Sequence, residues 1–219
     1  MICMEKKKIE ILNSVNVIGF ILVMCAGWID IVGLKIGVTE RTSFLTGRAA
    51  MLGESFFNGD FSKALVVILI VASFIFGAYI GTIITEKKGC KYGLLLTSFL
   101  IILSALVLSE FNQLEINIAL ILIPIATGCL NASTSLTKIG RTTHLTGPAT
   151  DIGIFLAKKD YNKVIFWALH WIAFPLGAFL GLYFLSLFQK HLLPLPSVLL
   201  IPATLIIGVS MVFNYFISD

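Results

Sequence analysis

The side chains that could do chemistry in this sequence are concentrated in one motif that occurs twice. The first copy reads R-T-S-F-L-T-G from Arg41 to Gly47, and the second reads R-T-T-H-L-T-G from Arg141 to Gly147. Each copy ends in a threonine hydroxyl and a glycine, a combination that we predict at the start of a short helix. The free N–H groups and the positive dipole end of such a helix favour an anion. The motif therefore predicts a polar site that binds a small solute.

The two copies lie one hundred positions apart, and the same spacing holds well beyond the motif. Identical residues at this spacing include Ala49 and Ala149, Gly53 and Gly153, Asp60 and Asp160, Lys63 and Lys163, Gly77 and Gly177, and Gly81 and Gly181. A sequence that repeats over its length in this way indicates an internal duplication. We predict a single domain over residues 1–219, with repeat 1 at 11–109 and repeat 2 at 117–217.

The composition indicates that this domain lies in a membrane. Of the 219 residues, 58% are hydrophobic and only 13% are charged, and the mean hydropathy is +0.97. These values lie far from those of soluble domains, so we interpret the chain as an integral membrane protein. The net charge of +4 is small and the basic residues lie at segment ends, which argues against a nucleic-acid partner.

Six apolar segments are long enough to cross a membrane. They run over residues 11–36, 64–85, 92–109, 118–137, 164–188 and 198–217. The connectors 37–61 and 138–163 carry charged residues and glycines, so we expect each to form a short helix that re-enters the protein. The predicted fold is an all-α integral membrane protein with six transmembrane helices and one polar connector in each half.

Lysine and arginine decide the predicted orientation, because cytoplasmic loops carry an excess of these residues. The amino terminus, the turn at 86–91 and the connector 138–163 hold most of them, whereas the loop at 110–117 is acidic. We therefore predict an inner (cytoplasmic) membrane protein with both termini in the cytoplasm. Three spans per repeat is an odd number, so the halves form a 3+3 inverted repeat, as in many secondary transporters.

The predicted binding site lies where the two connectors meet the helices that precede them. Ionisable groups at membrane depth cost about 3 kcal/mol each on insertion scales, so they usually face a partner or a water-filled cavity. We predict substrate contacts from Asp30, Thr46, Gly47, Arg48, Asn131, Arg141, His144, Thr146, Gly147 and Asp151.

Some of these residues also have a purely structural interpretation. Asp30 could pair with Lys35 or Arg48 and hold the fold. Arg141 recurs as Arg41 in the other half, and recurrence within a duplication indicates a shared role in the fold at least as strongly as a site.

The candidates that differ between the halves are open to two interpretations as well. His144 corresponds to Phe44, so it is either a packing residue or a proton-coupling group near neutral pH. Asp151 corresponds to Met51, and it could cap or salt-bridge the second short helix.

Other notable residues of the long helices are interpreted as packing groups. They include the G-x-x-x-G motifs that begin at Gly77 and Gly177, which allow helices to approach closely. Trp167, His170 and Trp171 are interpreted as packing or membrane-interface residues.

No metal, cofactor or enzymatic activity is predicted. The four cysteines (Cys3, Cys25, Cys90 and Cys129) are scattered without a C-x-x-C pair, so we interpret them as small apolar residues. The sequence contains no H-E-x-x-H, G-x-S-x-G or Walker A motif, which argues against an enzyme.

Short signatures in both halves carry a resemblance to a known family. The first half contains A-G-W-I-D at 26–30, F-L-T-G at 44–47 and L-G at 52–53; the second contains G-x-x-N-A at 128–132, the motif at 141–147 and T-D-I-G at 150–153. In this order they are similar to the signatures of the YoaK-like family of small bacterial inner-membrane proteins of unknown function.

The resemblance implies six helices and a bacterial inner membrane, but it supplies no substrate. The family usually places Asn after the first Thr-Gly, where this chain has Arg48. This departure implies either a more anionic substrate or an ion pair between Arg48 and Asp30.

The sequence therefore predicts a secondary transporter that moves a small polar or anionic solute or ion through a site at the repeat interface. A passive channel is one alternative, because the same repeat could build it. A non-transporting accessory protein is the other. At 24.0 kDa the chain is small for an alternating-access transporter, so a homodimer in the lipid bilayer is the assembly that we consider.

Overall fold

The computed structural model describes residues 13–36, 45–110 and 114–216, and in this part of the chain the regular structure is entirely helical. The helices are α1 (Ser14–Ile36), α2 (Leu45–Phe57), α3 (Phe61–Lys88), α4 (Cys90–Glu110), α5 (Leu114–Ser135), α6 (Thr146–Ala157), α7 (Tyr161–Lys190), a 3-10 helix (Leu195–Leu199) and α8 (Leu200–Phe216). The residues of the first motif from Arg41 to Phe44 lie outside the described residues.

Six helical segments have the length and apolar composition of membrane spans. They are α1, α3, α4, α5, α7 and the continuous segment of the 3-10 helix with α8, and their mean hydropathies range from 1.6 to 2.6. The six spans predicted from the sequence are therefore confirmed, with ends that differ by a few residues. The chain has the architecture of a multi-pass helical membrane protein.

Both predicted connectors contain a short helix, as expected. Helix α2 has 13 residues and α6 has 12, and each is followed by a tight turn into a long helix. The two turns are built alike: Asp60 accepts a hydrogen bond from the Lys63 N–H at 2.9 Å, and Asp160 accepts one from the Lys163 N–H at 3.4 Å. These caps satisfy N–H groups that the first turn of a helix leaves without partners.

Glycine brings α1 and α7 into contact along their backbones. A Cβ placed on Gly27 of α1 would collide with the carbonyl oxygen of Phe174, and a Cβ on Gly177 of α7 would collide with that of Met24. Two helices approach this closely only where small residues face each other. The first helix of the amino-terminal half therefore packs against the long helix of the carboxy-terminal half.

Glycine joins α3 and α5 in the same way. A Cβ on Gly77 of α3 would collide with the carbonyl oxygen of Ile125, and a Cβ on Gly128 of α5 would collide with that of Phe74. Because Gly77 and Gly177 are one hundred positions apart, these two interfaces are counterparts. The interpretation of the G-x-x-x-G motifs as packing sites is confirmed.

Helices α1 and α5 lie at the centre of the bundle. Two thirds of the hydrophobic window of each is buried (67%), against 17% for α7. Helix α4 packs against α5 and α8, and α8 also touches α1. Large apolar side chains on α3 and α7, such as Leu65 and Phe179, stay exposed, as expected for surfaces that face lipid.

Candidate functional site

Residues of both repeated motifs line one cavity of about 500 Å³, which we call the connector cavity. Its lining residues are Leu45, Thr46, Arg141, His144, Thr146, Gly147, Pro148, Asp151 and Trp167. Cavities of this size commonly bind small molecules. The equivalent residues Thr46 and Thr146 therefore meet at one place, although they are one hundred positions apart in the chain.

The cavity receives the amino-terminal ends of both short helices. Helix α2 begins at Leu45 and α6 at Thr146, and Leu145, the N-cap residue of α6, makes no capping hydrogen bond with its side chain. The first turn of a helix has free N–H groups and carries a partial positive charge. Pro148 fits this turn because a proline there removes an N–H that has no partner within the helix. Both helix ends thus favour an acidic or polar group in the cavity.

The loop before α6 is attached to α5 by two hydrogen bonds. The Thr143 N–H donates to Asn131 Oδ1 at 3.4 Å, and the hydroxyls of Thr142 and Thr134 lie 3.2 Å apart. Asn131, Thr142 and Thr143 are all buried. Asn131 therefore positions this loop, and it is not among the residues that line the cavity.

The same loop is attached to α7 through His170. His170 Nε2 lies 3.4 Å from the carbonyl oxygen of Arg141. The imidazole is 2% exposed and packs against the rings of Phe20, Phe166 and Trp167. Packing was the sequence interpretation of His170, and the structure adds a contact to the backbone of Arg141. The position of Arg141 thus depends on α7 as well as on α5.

His144 is half-buried in the cavity wall, with its ring centroid 6.0 Å from that of Phe74. Burial lowers the pKa of His144, and the positive charge of Arg141 lowers the same pKa further. Both effects oppose an imidazolium ion. His144 is therefore mainly neutral near pH 7, when its ring can both donate and accept a hydrogen bond.

Arg141 and Asp151 place opposite charges on the cavity wall. Asp151 lies inside α6, past its first turn, so it does not cap the helix, whose N-cap residue is Leu145. Within the described part of the chain it forms no ion pair either. The alternative that Asp151 caps the short helix is therefore wrong, and a salt bridge from Asp151 stays a prediction.

Asp30 and Arg48 do not line the connector cavity. Asp30 is 4% exposed and Arg48 is 2% exposed, so both ionisable groups are buried in the protein. Each has an interaction partner in the structure, as a buried charge requires. The proposed pairing of Asp30 with Lys35 or Arg48 stays a prediction.

The cavity brings together six of the ten predicted site residues. Those residues are Thr46, Arg141, His144, Thr146, Gly147 and Asp151, whereas Asp30, Gly47, Arg48 and Asn131 do not line it. Sequence reasoning missed Leu45, Pro148 and Trp167 as lining residues. Leu45 and Pro148 could have been found, because each directly adjoins a Thr-Gly pair.

The described residues contain no group of three or more His, Cys, Asp or Glu side chains that could hold a metal ion. The described lining residues supply hydrogen-bonding groups, two opposite charges and one imidazole. Such a set binds and orients a polar solute.

One family model matches most of the chain. It is described as "Protein of unknown function (DUF1275)", and it covers residues 18–209. The chain belongs to this family. The expected membership of a family of unknown function is thus confirmed, and the YoaK-like name and a bacterial origin stay predictions. Neither a curated protein nor a solved structure gave a significant match. The DUF1275 family carries no assigned activity, so the connector cavity is the basis for any functional argument.

Proposed function

We propose that the chain is a secondary transporter that moves a small polar or anionic solute through the connector cavity. The observation that carries this proposal is that the ends of two equivalent short helices, one from each half, meet at one cavity that is lined by charged and hydroxyl groups as well as apolar ones. Binding sites of many transporters form in this way, where broken helices of two repeats meet. The proposal includes no enzymatic step.

We further propose that the two halves are inverted relative to each other in the membrane. At 1.5 Å per residue, α2 and α6 are each about 20 Å long, too short for a hydrocarbon core of about 30 Å. In an inverted arrangement one short helix enters from each side, and their amino-terminal ends meet near the middle. Both termini would then be cytoplasmic, as the distribution of lysine and arginine predicts.

A matched pair of exposed positions tests this orientation. Asn58 and Lys158 occupy equivalent places in the turns after α2 and α6, and both are exposed. In a chain without its native cysteines, a membrane-impermeant maleimide should label Asn58→Cys in intact cells and Lys158→Cys only after permeabilisation. Labelling of both from the same side would contradict the inverted repeat.

The helices fall into two blocks that we propose move relative to each other. One block contains α1, α6 and α7, and the other contains α2, α3 and α5; close glycine contacts join α1 to α7 and α3 to α5. The two blocks touch each other directly between α1 and α5, and α4 and α8 also connect them, because α4 packs against α5 and α8, and α8 packs against α1. Rocking of one such unit against another is the usual basis of alternating access.

Two glycines of α6 give a sharp test of transport through the cavity. Gly147 lines the cavity and Gly153 does not, and a Cβ at either position meets no atom within 4 Å. We therefore expect leucine to be tolerated at both positions, but only Gly147→Leu adds bulk at a residue that lines the cavity. We expect Gly147→Leu to reduce solute flux to background in proteoliposomes, while Gly153→Leu keeps the wild-type flux.

The flux assay would use solid-supported-membrane electrophysiology and radiolabelled uptake, with panels of organic and inorganic ions and with or without a proton gradient. A saturable flux that Gly147→Leu removes would agree with a transporter. A flux that does not saturate would instead favour a passive channel. Equal flux in both variants would refute a route through this cavity, and no flux for any solute in folded protein would favour an accessory role.

A further inference from the structure

Among the described residues, two charged side chains line the connector cavity. Arg141 and Asp151 both line the cavity. Within the described residues, neither the guanidinium of Arg141 nor the carboxylate of Asp151 forms a hydrogen bond or an ion pair. A cavity of about 500 Å³ is roughly 10 Å across if it is spherical, so both charges are within reach of one small ligand.

The described residues that line the cavity are balanced in charge. Arg141 contributes one positive charge and Asp151 one negative charge, and His144 is mainly neutral near pH 7 because burial and Arg141 lower its pKa. A cavity built for a simple anion would carry an excess of positive side chains, and one built for a cation would carry an excess of carboxylates. The side chains here favour a ligand that carries one charge of each sign.

The remaining wall is partly apolar. Leu45, Pro148 and Trp167 contribute aliphatic and aromatic surface beside the charged groups. Apolar walls with a few well-placed polar groups are typical of sites that bind amphipathic small molecules. A fully hydrophilic ligand would leave this surface unused.

On the basis of the transport function proposed above, we propose that the connector cavity binds a small zwitterion with an apolar side group, of the α-amino-acid class. The ligand carboxylate binds Arg141 and the free N–H groups at the helix ends. The ligand ammonium binds Asp151, and the apolar group packs against Trp167. Each charged contact is a charge-assisted hydrogen bond, which is stronger than a neutral one.

A series of related ligands tests this assignment on the purified full-length protein. Isothermal titration calorimetry would compare leucine and phenylalanine with their amides, which lack the negative charge, and with their N-acetyl forms, which lack the positive charge. We expect the free amino acids to bind about tenfold or more tightly than either analogue, because each analogue loses one charge-assisted contact.

Two variants then connect each charge to its partner. Arg141→Gln should remove the preference for the amino acid over its amide, and Asp151→Asn should remove the preference over the N-acetyl form. Glu86→Gln and Lys87→Gln are matched controls, because both residues are exposed and lie outside the cavity. Circular dichroism and size-exclusion chromatography would show that each variant is folded.

The outcomes separate this inference from the proposed transport function. An N-acetyl form that binds as tightly as the amino acid would refute the zwitterion and indicate an anion site. Absence of binding by all these ligands to folded protein would also refute it, even if Gly147→Leu abolishes the flux of some other solute. Selective binding without flux in proteoliposomes would instead leave the ligand class supported and refute transport.

Discussion

The close contact between α1 and α7 gives a prediction with a defined magnitude for Gly177→Ala. A Cβ at Gly177 would collide with the Met24 carbonyl oxygen and would lie 2.9 Å from the Met24 Cα, where ordinary contacts begin near 3.4 Å. Because both atoms belong to the backbone, no side chain can move aside, and the helices must separate. Overpacking of this kind costs about 1–3 kcal/mol. Alanine regains up to about 1 kcal/mol of helix propensity, so we expect a net loss of about 1–2 kcal/mol.

Gly153→Ala is the matched control, since a Cβ there meets no atom within 4 Å. It should stabilise the protein by up to about 1 kcal/mol through helix propensity alone. Thermal or SDS-induced unfolding in detergent, followed by tryptophan fluorescence, measures the difference. Trp28 is a suitable reporter because its Cδ1 lies 3.2 Å from the position of a Cβ on Gly181, in the same interface.

The interface between α3 and α5 should respond to substitution in the same way. Gly77→Ala should destabilise the protein as Gly177→Ala does, because its Cβ would meet the Ile125 carbonyl oxygen. If Gly177→Ala unfolds at the same midpoint as Gly153→Ala, the two helices do not pack through their backbones, and the division into two blocks is wrong.

Three further predictions concern single residues. The pKa of His144 is lowered from its ordinary value of 6.5, so the unfolded chain takes up a proton there before the folded protein does. The free energy of unfolding should therefore fall as the pH drops below 6.5. His144→Phe, which copies the other repeat, should reduce this pH dependence of the thermal midpoint. An unchanged dependence would contradict a lowered pKa of His144. His170→Phe keeps the aromatic packing but removes the contact to the Arg141 carbonyl, so solute binding should weaken several-fold with a loss of only about 1 kcal/mol of stability; unchanged affinity would show that His170 does not position Arg141. Lys159 has a φ of 54°, where Gly59 of the other half has 70°. Lys159→Gly should therefore stabilise the protein by about 0.5–1 kcal/mol, measured by the same unfolding assay, and Gly59→Lys should destabilise it.

The spans and the short helices could be predicted from the sequence because both depend on local patterns. Runs of about twenty apolar residues are long enough to cross the membrane, and the polar connectors interrupt them. The Thr-Gly pair at 146–147 predicts the start of α6, which begins at Thr146. Because the sequence is duplicated, the equivalent pair at 46–47 predicts the start of α2, which begins one residue earlier at Leu45. The glycine pairs likewise predicted close packing, although not which helices they join.

The partners of the long helices could not be predicted, because packing between distant segments leaves no local pattern. Gly177 faces Met24 across more than half the chain, and nothing near either residue indicates the other. For the same reason Trp167 was interpreted as a packing residue, although it also lines the cavity. Its place there depends on how α7 lies beside α6.

Asp30 and Arg48 show a different limit of sequence reasoning. An ionisable residue in an apolar segment indicates a site, but a buried charge with a partner in the protein gives the same pattern. Both residues are buried and partnered in the structure, and neither lines the cavity. The residue type alone does not distinguish a binding-site residue from a buried charge with a partner in the protein. The position of the side chain relative to the cavity does distinguish them.

The exchange of partners between the halves has a consequence for the ancestry of the protein. Helix α1 packs against α7 and α5 packs against α3, so neither half contains the main partner of its own first helix. A half-length ancestor could have filled both interfaces only with a second copy, as an intertwined dimer whose stability depended on subunit concentration. Fusion of two copies would have removed that dependence. It would also have allowed the halves to diverge, so that one now carries His144 where the other carries Phe44.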